Sequence, residues 1–288
     1  MYIIKNEEIE FSVKKKGAEL CSIIKNNRQY IWQADPKFWG NHGPLLFPIV
    51  GSVENDEISV CGQRCNLTAH GFLRYMDFDL IEQTENKLVL EAKYNEDTLK
   101  IYPIKFRFIA TYSYENGSFV GTYDIYNLDE KTMPYCFGLH NGFYCVQEGE
   151  DVSNVYFKFD KKITINKPSR VQEKFMDFSK RISVIENSDI LNLNDDWYPT
   201  QAPINDDVKF SSFELINKKS GKILDYSFSE NFGLYNIWRQ KNSPFVCLEP
   251  WTSQCGVYPF AKNLEDIKTT KYLKSNDKET YFFSVKLS

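Results

Sequence analysis

The stretch Phe106-Arg107-Phe108-Ile109-Ala110-Thr111-Tyr112-Ser113-Tyr114-Glu115-Asn116-Gly117-Ser118-Phe119-Val120-Gly121-Thr122-Tyr123-Asp124-Ile125-Tyr126 decides the fold. Phe106 to Tyr114 is apolar and aromatic. Asn116-Gly117 is a strong hairpin turn, because both residues tolerate the positive φ that a tight turn demands. Phe119 to Tyr126 then returns. On the return, Phe119, Tyr123 and Ile125 share one face, and Thr122 and Asp124 share the other. Working outward, Lys87 to Tyr94, Asn154 to Asp160, Ile223 to Phe228, Leu234 to Trp238, Phe245 to Trp251 and Tyr281 to Lys286 also read as strands. Their spacing and turn residues predict an all-β chain: a large antiparallel β-sandwich with few short helices, one domain over residues 1–288. Asp35-Pro36-Lys37-Phe38-Trp39 has an N-cap followed by proline at the first helical position and predicts one short helix. Lys167 to Leu193 is polar and irregular and reads as a long surface excursion, the kind of segment that often carries binding residues.

Bulk properties exclude several function classes. The 288 residues carry 35 basic and 39 acidic side chains, a formal charge of -4, with no basic stripe to bind nucleic acid. No apolar run is long enough to span a bilayer, and the first residues lack the layout of a secretory leader. The seven cysteines are an odd number and mostly dispersed. Cys61 and Cys65 lie four apart, but no second pair completes a zinc site with them. The cysteines read as free, buried, small apolar residues in a reducing cytoplasm. The 22 Phe, 18 Tyr and 5 Trp exceed what a core requires and favour β structure with carbohydrate-type binding surfaces.

Candidate chemistry concentrates in short phrases. All three histidines sit in Gly- or aromatic-rich ones: Asn41-His42-Gly43-Pro44, His70-Gly71-Phe72-Leu73-Arg74 and Leu139-His140-Asn141-Gly142-Phe143. A histidine can both give and take a proton near neutral pH. His140 ends a strand-like run, where a side chain can reach a cleft. Taken alone, it reads more readily as a core or turn histidine held by a backbone partner. Gly71 permits positive φ or close backbone approach, and Arg74 can donate up to five hydrogen bonds. By itself the phrase reads more readily as a turn with an exposed arginine. His42, framed by Gly43 and two prolines, reads as lining or supporting a site. Glu249 is the strongest single signal. A strand buried on both faces has little reason to hold a lone carboxylate unless it is paired or has a chemical role. A buried ion pair with Arg239 or Arg74 is the plainer alternative. Trp251 reads as a platform for a sugar face or as core. No phosphate-binding loop, dinucleotide fingerprint or nucleophile elbow occurs, and no helical histidine spacing supports a metal.

Together the phrases Asp35-Pro36-Lys37-Phe38-Trp39, Pro44-Leu45-Leu46-Phe47-Pro48-Ile49-Val50-Gly51, His70-Gly71-Phe72-Leu73-Arg74, Gly138-Leu139-His140-Asn141-Gly142-Phe143 and Phe245-Val246-Cys247-Leu248-Glu249-Pro250-Trp251 resemble the aldose 1-epimerase (galactose mutarotase) superfamily, nearest its LacX-like branch. They occur in the family's order and span most of the chain. The resemblance implies the family's β-supersandwich with a sugar site in an open groove. It implies Glu249 as general base and His140 as general acid. His70 would orient the sugar near its ring oxygen, and Arg74 would help hold it. It implies no cofactor, no metal, a small-molecule sugar as partner, a monomer or homodimer, and a cytoplasmic location.

The chain departs from the pattern at two places. LacX-like relatives usually carry a basic residue where Asn41 stands, and their segment after Glu-Pro-Trp runs through Gly to Asp, where this chain has Thr252-Ser253-Gln254-Cys255. The family's sugar-binding aspartate matches Asp206 or Asp207. The expected function is therefore interconversion of the α and β anomers of a hexose by acid/base ring opening. Two alternatives stand beside it: a hexose-6-phosphate 1-epimerase, with Arg74 and Arg239 supplying cations, and a non-catalytic carbohydrate-binding protein.

Overall fold

The computed structural model describes residues 1–172, 175–193 and 210–288. The deciding hairpin forms as Phe106–Glu115 and Ser118–Asn127, paired in register from Phe106 opposite Asn127 to Glu115 opposite Ser118. Asn116 and Gly117 both have positive φ, 52° and 76°, the conformation a two-residue turn between right-twisted strands requires. Phe119, Tyr123 and Ile125 are buried, while Thr122 and Asp124 are partly exposed.

This hairpin lies inside a nine-stranded antiparallel sheet. From edge to edge its strands are Phe175–Asn192, Val155–Gln172, Ser212–Asn217, Gly221–Phe228, Lys278–Leu287, Ser118–Asn127, Phe106–Glu115, Lys87–Lys93 and Asp79–Gln83. Against it packs a smaller sheet in which Phe245–Trp251 is flanked by Leu234–Trp238 on one side and by Asn141–Tyr144 and Gly138–Leu139 on the other, with Leu45–Leu46 beyond. Aromatic contacts join the two layers: Phe108 with Phe137 at 5.4 Å, Phe143 with Tyr226 at 6.1 Å and Phe213 with Tyr235 at 5.6 Å between ring centroids. A four-stranded sheet of N-terminal residues, Tyr2–Lys5 to Arg28–Gln29, completes the main β structure. Burial of this interlayer surface supplies the dominant stabilisation, roughly 25 cal/mol per Å² of apolar area. All seven cysteines are free thiols, six of them buried and Cys61 exposed. No helix among the described residues is long and apolar enough to cross a membrane.

Two expectations need correction. Lys167 to Leu193 is not an irregular excursion: Val155–Gln172 and Phe175–Asn192 are paired strands of the large sheet. Phe175–Asn192 is the sheet edge, and residues Ser179 to Ser183 are exposed in succession. Over that stretch neither face is buried, so no alternation is imposed on the sequence. Repeated register shifts along the pair scramble what alternation remains. The second correction concerns helix. Asp35 does cap the backbone of Lys37, and Phe38 and Trp39 bond back to the Asp35 carbonyl, but the segment stops after one turn. The α-helix among the described residues is Glu96–Ile101, opened by a capping box in which Asn95 accepts from Asp97 and Thr98 while Thr98 Oγ1 accepts from the Asn95 amide.

Candidate active site

Strand register builds the site. Phe245–Trp251 is buried along its whole length. Val246 and Leu248 belong to the main core. Phe245 and Cys247 project to the opposite face, where they pack with Trp32 and against Phe38, Trp39, Tyr144 and Trp238. Period-two alternation puts Glu249 on that second face. On one side Glu249 is paired with Asn236. On the other, Gly138 pairs with Trp251 and Asn141 with Leu248, which sets His140 directly across from Glu249. Residues opposite one another in an antiparallel pair project to the same face about 5 Å apart at Cβ. Three strands thus place an imidazole, a carboxyl and an amide side by side.

The distances follow from that register. His140 Nε2 stands 3.4 Å from Glu249 Oε2, with the Glu249 side chain fully buried and that of His140 12% exposed. Neither Glu249 oxygen has a hydrogen bond of good geometry. Burial pushes the Glu249 carboxyl well above its usual 4.5, and the Asn236 amide opposes the shift only weakly. Burial, and then the neighbouring His70 and Arg74, push the His140 imidazole well below its usual value. Both effects have one physical origin. A water-poor pocket disfavours either charge alone, so the pair is held with a single shared proton.

Aromatic rings fix the imidazole. Trp39 stacks on His140 at 4.8 Å and 29°, and Trp238 meets it edge-on at 5.7 Å. Gly142, two residues further along, leaves room for this packing: a Cβ there would lie 3.0 Å from Trp32 Cβ and 3.3 Å from Trp39 Cζ3.

His70 approaches His140 edge to face, 5.8 Å between ring centroids. His70 and Gly71 both take left-handed φ, 68° and 67°. Glycine is required at 71, where a Cβ would fall 2.2 Å from the Phe47 carbonyl oxygen. The His70 amide donates to the Gly51 carbonyl, and the Gly51 amide donates to His70 Nδ1 at 3.2 Å. Nδ1 is therefore an acceptor, and the ring proton sits on Nε2. Burial and the charge of Arg74 lower His70 to about 4, so this imidazole is neutral at pH 7. Arg74 is half-buried; its Nη2 donates to the Ala69 carbonyl and its guanidinium lies over the Tyr75 ring.

The remaining candidates are placed as follows. Trp251 is 4% exposed and lies over Gly138, its indole nitrogen donating to the Leu139 carbonyl, its ring 6.3 Å from that of His70. It packs behind the histidines. His42 supports the site through its backbone, accepting the Gly142 amide, while its ring joins Glu19 and Lys14. Burial pushes Glu19 up, but His42 and Lys14 overcome it and hold the carboxyl at about 2. Asn41 is exposed. The departure at Thr252 to Cys255 is buried stitching: Thr252 Oγ1 accepts the Phe137 amide and the Cys255 amide donates to Val50. The ion pair formed by Glu249 is with His140; Arg239 instead donates Nη2 to the Ser243 carbonyl and lines a separate cavity of about 740 Å³ with Tyr144, Glu150 and Asp151. Asp206 and Asp207 lie outside the described residues.

Sequence reading missed Asn236, Trp238 and the contact of Trp39. Trp39 stood in a phrase already singled out, and that was the available signal. Asn236 and Trp238 become site residues only through their register with Glu249 and Cys247.

Comparison with known proteins agrees with this architecture. The family model described as aldose 1-epimerase matches residues 1–286. The plasmid and chromosomal forms of Protein LacX from Lactococcus lactis subsp. lactis are each 34% identical over 259 residues, covering 86% of this chain and 86% of theirs. A galactose mutarotase related enzyme from Lactobacillus acidophilus superposes with a TM-score of 0.90 at 28% identity, covering 100% of this chain and 97% of its own. A galactose mutarotase-like protein from Lactobacillus casei has the same fold, with a TM-score of 0.89 at 21% identity and full coverage of both chains. The chain belongs to the aldose 1-epimerase family.

Proposed function

We propose that this protein interconverts the α and β anomers of a free hexose by acid/base ring opening. The observation that carries the reading is the 3.4 Å approach of His140 Nε2 to Glu249 Oε2 on one face of a buried sheet. Glu249, as carboxylate, removes the proton from the anomeric hydroxyl. His140, as imidazolium, gives a proton to the ring oxygen. The bond from the anomeric carbon to the ring oxygen breaks as the carbonyl forms. Rotation about the adjoining carbon–carbon bond presents the other carbonyl face, and reversal of both proton transfers closes the opposite anomer.

The environment suits this exchange. Desolvation makes the Glu249 carboxylate a stronger base than one in water, and makes the His140 imidazolium a stronger acid. Neutral His70 holds a fixed Nε2 proton for a sugar oxygen. Arg74 stands by as a donor to hydroxyls. Trp39 and Trp238 hold the acid in place. Each positioned acid or base contributes roughly 10²–10⁴-fold. No covalent intermediate is needed.

A phosphorylated substrate is disfavoured by the position of Arg239, which turns to a cavity that also holds acidic side chains. The test is exchange between anomers, followed by NMR, over a panel of free hexoses and hexose 6-phosphates with Glu249→Gln as control. Acceleration for a free hexose that is lost in the variant supports the reading. Acceleration confined to phosphorylated sugars replaces the substrate, and binding without acceleration replaces catalysis by carbohydrate binding alone.

A further inference from the structure

Register that places His140 across from Glu249 brings a third donor to the same face. Cys247 precedes Glu249 by two residues on Phe245–Trp251, so both side chains project to one side. One ligand atom each from His140, Cys247 and Glu249 lies within 4.8 Å of the others. We propose that this trio captures a thiophilic divalent cation, with Zn²⁺ as the fitting ion, and that the captured ion shuts the acid/base pair. The regulatory half of this proposal rests on the function proposed above; the binding half does not.

Three observations support it. First, the donor set is one imidazole, one thiol and one carboxyl, a combination that zinc accepts and that Mg²⁺ or Ca²⁺, which prefer oxygen ligands, does not. Second, the spacing is close to what tetrahedral zinc needs. Bonds of about 2.0–2.3 Å put neighbouring ligand atoms roughly 3.3–3.8 Å apart. The His140–Glu249 pair is already at 3.4 Å, and Cys247 Sγ lies within 4.8 Å of a ligand atom on each. Third, both Glu249 oxygens are buried without a hydrogen bond of good geometry, their polar neighbours being the Asn236 amide and His140 Nε2 at 3.4 Å, so a cation would satisfy acceptor capacity that the fold leaves open. A second cluster, Glu19, Cys21 and His42, meets the same distance criterion. There Lys14 Nζ already occupies the centre, 2.7 Å from Glu19 Oε2 and 3.3 Å from His42 Nδ1. That cluster therefore serves as an internal control.

In the proposed state two protons leave to solvent: one from the Cys247 thiol, which binds as thiolate, and the one shared by His140 and Glu249. His140 binds through Nε2, and Glu249 through one oxygen. Three protein ligands leave the fourth position to water. With both its base lone pair and its acid nitrogen bound to the metal, the site has no proton to give and no base to receive one.

The experiment uses the intact chain, freed of metal by dialysis. Bound zinc is measured by equilibrium dialysis and elemental analysis for wild type, Cys247→Ser, Glu249→Gln and Cys21→Ser. The expected result is one zinc per chain in wild type and in Cys21→Ser, with affinity at least tenfold weaker in Cys247→Ser and Glu249→Gln. Cobalt titration of wild type adds a readout that needs no variant: tetrahedral visible bands with an ultraviolet thiolate-to-cobalt band. Absence of that band, or zinc affinity unchanged in Cys247→Ser, overturns the proposal. Anomer exchange is then assayed with and without zinc, with Mg²⁺ as control. Exchange that persists with zinc bound overturns the regulatory half. A chain that binds zinc through Cys247 yet never accelerates exchange upholds the metal site and overturns the function proposed above instead.

Discussion

His140 and Glu249 are cross-strand neighbours whose side chains meet, Nε2 to Oε2, at 3.4 Å on the face of the small sheet turned away from the main core. Glu249 lies within its strand, and His140 is held at the junction of Gly138–Leu139 and Asn141–Tyr144. A proton placed on either can pass to the other with little movement. This arrangement gives the first expectation.

Glu249→Gln keeps shape and removes the base. Turnover in anomer exchange should fall about 10²–10⁴-fold while sugar affinity, read by isothermal titration, stays within a few-fold. His140→Ala should cut turnover by a similar factor. The wild-type pH–rate profile should be bell-shaped, since exchange needs the pair to hold one proton. Its basic limb should lie above the 4.5 of a free carboxyl, because burial raises Glu249, and its acidic limb below the 6.5 of a free imidazole, because burial lowers His140. Wild-type rates from either variant, or a flat profile, would remove the pair from the mechanism.

Trp39 covers one face of the His140 ring. Trp39→Ala should free that ring to adopt other rotamers and admit water, lowering kcat more than it raises KM. A loss of roughly tenfold corresponds to about 1.4 kcal/mol, the scale of one aromatic pair. Trp39→Phe should recover most of the rate. Equal kcat in Trp39→Ala and wild type would show that the stack has no positioning role.

Gly138 lies under the Trp251 indole, where a Cβ would sit 2.5 Å from Cδ1. Both the ring and the strand are buried, so neither can retreat freely. Gly138→Ala should cost about 1–3 kcal/mol of stability, seen as a lower midpoint in urea with unchanged slope. An unchanged midpoint would mean that the indole moves aside without cost.

His70 ties pH to stability. Its imidazole is lowered from 6.5 to about 4 in the folded chain, so the unfolded chain binds the proton more readily between those values. Stability from this source is complete above about pH 6.5 and is lost as pH falls toward 4, up to about 3 kcal/mol in all. Glu249 works with the opposite sign, since its raised carboxyl takes up a proton more easily when folded. Thermal melts of wild type and His70→Gln at pH 7 and pH 4.5 separate the two. Wild type should lose more stability between these pH values than the variant does. Equal losses would show that His70 is not held neutral by burial.

Much of the fold was legible because burial on one face leaves a period-two imprint. Phe119, Tyr123 and Ile125 show it, and Leu234–Trp238 and Phe245–Trp251 have the bounds read from the sequence. The strand Phe175–Asn192 was illegible because its middle, Ser179 to Ser183, is open to solvent on both faces and carries no such imprint. The helix Glu96–Ile101 was overlooked although Asn95 and Thr98 spell its cap, since six residues are too few to display a 3.6 period. Glu249 stood out because a carboxyl in an apolar run is costly. Asn236 did not, because an amide in a strand is unremarkable until its partner is known.

By itself the sequence determined which residues are buried in strands, where the tight turns fall, and that one acidic group had been forced into an apolar setting. Those properties are local, set by backbone preference and by the side chain's own affinity for water. Tertiary structure alone decided that Glu249 would stand between His140 and Asn236, and that Cys247 would share their face. Register between strands distant in sequence is a collective result of packing whole sheets together, and a slip of one residue would turn each of these groups to the other side.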